Sequence, residues 1–377
     1  MASHPLAALA YSPGTRASHD HVGATHGTVD IPDPRMTALA HPDTATASLR
    51  AAWSDARPHG PLAWDTPPTV VAVEALRAHP GSRWTLRYRL QPVGDAPPMS
   101  CIAKAHTRDR ADIAAVLYHL SAARQASAGA WSVPRPLAYL PTLHVLLVED
   151  VPGQALRRAA RHSPVLAAAH AARWLGRFHA TNVLPPDAYD LRDPVATARR
   201  WSVRLVAAQP DLRPVSAALL DRLVRTAPRW PPPPAGLRIL HGDLSLDHLI
   251  LGPGTCAAID WDDWRVGDPA EDAGRLLASL RHAATRHPEW LASADRAAVT
   301  FRRVYLEREP AATARLAFYE ALACLRVACR TARRGDDVGR ARAASMLAAG
   351  ARALDLSAPS PPAPSQPARV RNHPQPV

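Results

Sequence analysis

His241-Gly242-Asp243-Leu244-Ser245-Leu246-Asp247-His248, followed shortly by Ala257-Ala258-Ile259-Asp260-Trp261, is the stretch from which the fold is read. The apolar run Leu237–Leu240 before it follows four prolines at 231–234, which predicts a short buried strand opening into a loop. LILG at 249–252 and CAAID at 256–260 flank a Gly-Pro-Gly turn and predict two more short strands. Asp243 then lies just past the end of one strand and Asp260 at the end of a neighbour. Loops from such ends converge on one cleft.

Outward from this stretch the pattern changes once. On the N-terminal side, 69–150, strand signals dominate. TVVAVEAL (69–76) is rich in β-branched residues, and RWTLRYRL (83–90) alternates, placing Trp84, Leu86, Tyr88 and Leu90 on one face. RAHPGS between them carries Pro80-Gly81, a tight-turn signal. SCIAKA and HVLLVEDV predict further strands. Between them, 110–126 spaces Ile113, Val116, Leu117 and Leu120 for one face of a helix. From Gly153 onward helical spacing takes over, in LAAAHAARWLGRFHA, TARRWSVRLVAA, SAALLDRLVRTA, EDAGRLLASLRHAA, RAAVTFRRVYLE and ARLAFYEALACLRVACRTARR.

The expected class is α+β in two lobes. A small antiparallel-sheet N-lobe at 61–150 would bind nucleotide phosphates, and a mainly helical C-lobe at 151–356 would carry the acidic loop and the acceptor site. Residues 1–60 lack sustained periodicity and predict a mostly disordered arm, with a short helix around Ala45–Trp53. Residues 357–377 predict a disordered Pro-rich tail.

Composition narrows the classes of function. No stretch of 18 apolar residues is free of charge, so no membrane span is expected. The N-terminal sixteen residues lack a basic segment ahead of their apolar patch, which argues against secretion. Cys101, Cys256, Cys324 and Cys329 form no CxxC pair and read as small apolar residues in a reducing compartment, with the cytoplasm as the expected address. The formal net charge is +12, but the arginines are scattered rather than gathered in a stripe, so no specific nucleic-acid partner is expected. Oligomeric state is left open. Lys104 is the chain's single lysine, a compact point charge on a slim stem where every other long cation is a planar guanidinium.

Two carboxylates at neighbouring strand ends, with a cation on the other lobe, suit phosphoryl transfer. One carboxylate orients the attacking hydroxyl and accepts its proton, another holds Mg²⁺ against the phosphates, and the cation steadies them. In motif and order the chain resembles the aminoglycoside phosphotransferase family, a small-molecule branch of the protein-kinase-like fold. The family pattern HGDxxxxN, ID[WF], GDPxxD reads here HGDLSLDH, IDW at 259–261, and Gly267-Asp268-Pro269-Ala270-Glu271-Asp272. VPRPLAYL (133–140), LLVEDVPGQAL (146–156) and LGRFHA (175–180) extend the likeness over about 65–350.

The resemblance implies Asp243 as catalytic base, Asp260 as Mg²⁺ ligand and Lys104 as the contact to the α- and β-phosphates of ATP. It places the phosphate-binding turn at Gly81 and Ser82, and the adenine-binding segment at Glu149–Val151. His241, Asp268 and Asp272 would brace the loop. The implied acceptor is a small molecule with a hydroxyl group: an aminoglycoside, another antibiotic, a sugar or an amino alcohol. Three departures stand out. His248 replaces the family's metal-binding asparagine, leaving a metal, a phosphate or a purely structural contact open. The helix after Lys104 lacks the family's glutamate, with Asp112 the nearest acidic residue. RAHPGS has a single glycine. These departures motivate a second reading, a kinase-fold accessory protein that binds nucleotide or a partner with weak or no transfer.

Overall fold

A computed structural model describes residues 34–58, 66–79, 81–126, 131–181, 183, 191–230, 236–252 and 255–355. The expected Pro-rich tail and the first 33 residues of the arm lie outside them. Six strands form one antiparallel sheet in the order β1-β5-β6-β4-β3-β2. They are β1 (Arg57–Pro58), β2 (Thr69–His79), β3 (Arg83–Gln91), β4 (Met99–His106), β5 (Pro136–Leu140) and β6 (Val145–Glu149). The alternation in β3 sends Trp84, Leu86, Tyr88 and Leu90 to one face, where Cys101, Ala103, Ala105, Val145 and Leu147 join them. Ile102, Lys104 and His106 point to the other face, toward helix α3 (Ala111–Ala126) and the cleft.

The apolar outer face needs a cover, and here the structure corrects the sequence reading. Residues 34–58, expected as part of a mostly disordered arm, form α1 (Pro34–Leu39), α2 (Pro42–Ala52) and the edge strand β1. Met36, Leu39, Ala45, Leu49 and Ala52 pack on the sheet. Tyr88 donates its hydroxyl to the Leu39 carbonyl at 2.8 Å, and Thr46 accepts from the Val70 N–H at 2.9 Å. The expected helix at 45–53 is part of this cover.

The second lobe is helical: α4 (Leu156–Ala160), α5 (Pro164–Ala180), α6 (Pro194–Ala208), α7 (Arg213–Thr226), α8 (Ala270–Arg286), α9 (Leu291–Leu306), α10 (Thr313–Ala332) and α11 (Asp337–Asp355). Local signals start some of them. Pro164 opens α5, and Asp193 caps α6 by accepting from Val195 and Ala196 N–H ahead of Pro194. Helix α10 packs against α8, α11 and α6 at the centre. Glu320 on it is fully buried and accepts from Arg281 of α8 (2.6 Å) and Arg302 of α9, an ion triad joining three helices. Small strands frame the cleft: β8 (Arg238–Leu240) pairs with β11 (Arg265–Gly267), and β9 (Leu249–Gly252) lies between β10 (Thr255–Ala258) and β7 (Gln154–Ala155). Among the described residues no helix is long and apolar enough to cross a membrane.

Candidate active site

The loop after β8 is built around a buried carboxylate. Asp272, in the first turn of α8, accepts from the backbone N–H groups of His241 (2.7 Å) and Gly242 (3.0 Å). Burial raises its pKa, but His179, His241 and Arg265 outweigh that and hold it down at about 2. Gly242 has φ +78°, and a Cβ there would fall inside the Asp263 carbonyl oxygen, so conformation and space both require glycine. His241 is fully buried; its Nε2 donates to the Ile259 carbonyl (2.7 Å) while its Nδ1 accepts from the Asp243 N–H (3.3 Å). Those two bonds fix one neutral tautomer, and burial lowers its pKa to about 4. Asp268 accepts from the Ala270 N–H at 3.0 Å and from Arg315, tying the start of α8 to α10.

Asp260 ends the β10 segment in the left-handed region, φ 68° and ψ 58°, a conformation that aspartate, like asparagine, visits more readily than most side-chain-bearing residues. Its carboxylate meets Lys104 Nζ from the other lobe at 2.6 Å and Arg83 at 3.2 Å. Asp262 takes the same lysine at 3.1 Å and also pairs with Arg83. Burial raises the pKa of Asp260, yet Lys104, His248 and Arg83 outweigh it and keep the group ionised. Lys104 is lowered by burial, opposed chiefly by Asp260. The acidic partner of Lys104 is thus the 260–262 turn. Asp112 instead binds Arg110 (2.8 Å) and the indole N–H of Trp264 (2.9 Å).

His248 stands between the two key carboxylates. Its Nδ1 must donate to the Asp243 carbonyl oxygen (2.7 Å), because that oxygen can only accept. In the neutral ring this leaves the Nε2 lone pair facing Asp260 Oδ2, 3.7 Å away. Asp243 itself is ion-paired to Arg326 of α10, with Arg275 Nη1 of α8 at 4.0 Å. Burial raises its pKa, but Arg326, His248 and Arg275 bring the net value below the ordinary range. Lys104, His248 and Asp260 therefore form one cluster, and His248 bonds the backbone of Asp243.

Gly81 (φ +71°) closes the turn before β3, with Ser82 N–H donating to the His79 carbonyl at 3.0 Å. Thr107 N–H donates to the Ser82 carbonyl at 2.9 Å and pins the turn. Both turn residues are exposed. Glu149 N–H donates to the Arg135 carbonyl at 2.9 Å, so it is used within the N-lobe. Sequence reasoning missed Arg83, Arg275 and Arg326. Asp262, beside Asp260, reads from sequence as a cleft-lining candidate, whereas the arginines carry no local signal in so arginine-rich a chain.

No curated protein matches the chain. Among solved structures, a spectinomycin phosphotransferase bound to ADP and spectinomycin aligns with TM-score 0.52 and 10% identity over 84% of this chain and 98% of that one. A choline kinase from Cryptosporidium parvum gives TM-score 0.51 and 12% identity over 76% and 89%. An amicoumacin kinase in complex with AMP-PNP, Ca²⁺ and its antibiotic gives 0.50 and 16% over 76% and 89%. At these identities the likeness is one of fold, a two-lobed kinase-like architecture. Residues 101–319 match the family model of the phosphotransferase enzyme family, which spans more than half the chain and takes in Lys104, Asp243 and Asp260 together. The chain belongs to the phosphotransferase enzyme family.

Proposed function

We propose that this protein transfers the γ-phosphoryl group of ATP to a hydroxyl of a small molecule, with Asp243 as base. The observation that carries the reading is the meeting of Lys104 with Asp260 at 2.6 Å across the cleft, one histidine away from Asp243. Asp243 orients the acceptor hydroxyl and takes its proton as the new O–P bond forms. The bond from the γ-phosphorus to its bridging oxygen breaks, and ADP leaves with that electron pair. Lys104 and Arg83 turn from the 260–262 turn to the nucleotide phosphates, and the Gly81–Ser82 turn lies beside them. At 149–151 the backbone group offered to the adenine edge is the Val151 N–H, since that of Glu149 is used internally. Asp272, Asp268 and His241 keep the loop in place.

The donors fit Mg²⁺. Asp260 offers carboxylate oxygens and His248 an Nε2 lone pair 3.7 Å away. No group of three or more metal-binding side chains exists among the described residues, so Asp260 would hold the ion chiefly, with His248 a less usual nitrogen donor for so hard a cation. Bound there, Mg²⁺ supplies charge neutralisation on the phosphates. The acceptor spectrum of the enzymes of similar fold, spectinomycin, choline and amicoumacin, spans antibiotics and an amino alcohol. A cytoplasmic enzyme using cellular ATP is the setting this chemistry requires.

The test is ADP release with Mg·ATP over a panel of hydroxylated compounds. We expect Asp243→Asn to lower turnover about 10²- to 10⁴-fold, the usual contribution of a positioned base, while Mg·ATP still raises the Tm of the variant. Equal turnover in the variant would remove Asp243 from the mechanism. The ion pair of Arg326 on Asp243 favours one other reading, a kinase-fold accessory protein with weak transfer, because a paired carboxylate is a poorer base. Mg·ATP binding without turnover against every acceptor class would select it.

A further inference from the structure

We propose that the acceptor carries an anionic group, a carboxylate or a phosphate, received by Arg326 and Arg275 beside Asp243; this rests on the phosphotransferase reading above. Arg275 is the first observation. Its side chain is 8% exposed, and its Nε and Nη1 make no hydrogen bond although buried. Only Nη2 is used, donating to Glu271 at 3.1 Å, and Glu271 is already bound to Arg265. Burial, Arg326 and Arg265 pull the pKa of Arg275 down to about 10. Glu271 and, at 4.0 Å, Asp243 balance part of its charge, but its Nε and Nη1 are left without an acceptor, and an unsatisfied buried donor is costly to leave unmade.

Arg326 is the second. It spans from Asp243 to Asp263 (3.8 Å) with its guanidinium 6.0 Å from the Trp201 ring. It therefore sits where the acceptor hydroxyl must approach the base. A cationic acceptor would meet two guanidiniums there, and like charges in one cleft repel. An anionic acceptor draws Arg326 onto itself and frees Asp243 at the same time. The surroundings extend the trend. Arg330, one turn along α10, pairs with no carboxylate among the described residues, and the field continues through Arg286 and Arg342, with His282 between them held neutral, its pKa lowered to about 4 by burial and by these arginines. Most nearby carboxylates are engaged, Glu320 in its buried triad, Glu271 with two arginines, Asp262 with Lys104 and Asp247 with Arg157, which leaves the half-exposed Asp263 beside Arg326.

The experiment measures ADP release with Mg·ATP against two sets of compounds, hydroxy acids and sugar phosphates on one side, amino alcohols and aminoglycosides on the other. We expect turnover in the first set. Arg326→Gln should raise the KM of the anionic acceptor about 10- to 100-fold, the scale of a lost charge-assisted hydrogen bond, with the KM of Mg·ATP within about twofold. Arg275→Gln should do the same. Because its partner Glu271 is partly buried and that variant can fail to fold, Arg330→Gln, on the exposed rim, provides a second reading with a smaller rise. Turnover of a cationic acceptor unaffected by Arg326→Gln would overturn the anionic assignment and leave the phosphotransferase reading intact. Turnover of an anion with unchanged KM in Arg326→Gln would overturn the role of these arginines. No Mg·ATP binding and no turnover in either set would overturn both. Saturable binding of a single-stranded oligonucleotide that persists at high salt would assign this face to nucleic acid and overturn the proposal.

Discussion

At the scale of single residues, the loop after β8 is held by groups that must stay in one protonation state. His241 is the clearest case. It donates through Nε2 and accepts through Nδ1, so a proton on Nδ1 would break the bond to the Asp243 N–H. Its folded pKa is about 4, against an unfolded value of 6.5. Between those values the unfolded chain binds the proton and the folded one does not. The stability contribution is therefore complete above 6.5 and is lost as pH falls toward 4, at about 1.4 kcal/mol per unit. Denaturant titrations from pH 7 to pH 4.5 should show that slope reduced in His241→Gln relative to wild type; parallel curves would mean the ring titrates normally. That these residues would be brought together was legible because HGD, ID and GDPxxD are short, local segments close in sequence. Arg326 was not legible: it lies 83 residues from Asp243, and only the packing of α10 on α8 brings it there. The same holds for Arg83 and the 260–262 turn, joined across 177 residues.

At the scale of elements, the N-lobe sheet has two apolar faces and only one helix after β4 to cover them. Helix α3 takes the cleft side, and α1 with α2 takes the other. The alternation in β3 announced the outer face, but its cover was read as part of an arm because Pro, His, Ala and Thr dominate there. The signal present was sparse: Ala45, Leu49 and Ala52 stand at i, i+4 and i+7, a narrow stripe of small side chains. Leu49 is fully buried, so Leu49→Ala should cost about 2–5 kcal/mol, the range for a leucine truncated in a core. Chemical denaturation would measure it, and a loss below about 1 kcal/mol would show that the cover is loosely applied. Because Thr46 of α2 also binds Val70 near the start of the edge strand β2, loosening α2 should fray that end of the strand.

Across the whole molecule, the two lobes are joined at the cleft by charge. Arg83, Lys104 and Arg110 of the N-lobe all reach the 260–262 turn, Arg110 through the Asp262 carbonyl at 2.8 Å. In the proposed reaction nucleotide phosphates would compete for these cations, so binding would exchange one set of ion pairs for another rather than add a second. That makes the Lys104–Asp260 pair a clasp of the nucleotide-free protein, and a double-mutant cycle can isolate it. Lys104→Met leaves Asp260 with Arg83, and Asp260→Asn leaves Lys104 with Asp262, so neither single change strands a bare charge. The coupling should still be about 1–3 kcal/mol, because the lysine is nearly buried and its pair is short. Tm and denaturant midpoints of the four proteins without nucleotide give that number. With saturating Mg·ATP the coupling should fall, since on the proposed mechanism Lys104 of the parent then faces phosphate instead of Asp260. A coupling within about 0.5 kcal/mol of zero without nucleotide would mean that the hydrophobic contacts between lobes, and not this pair, hold the cleft closed.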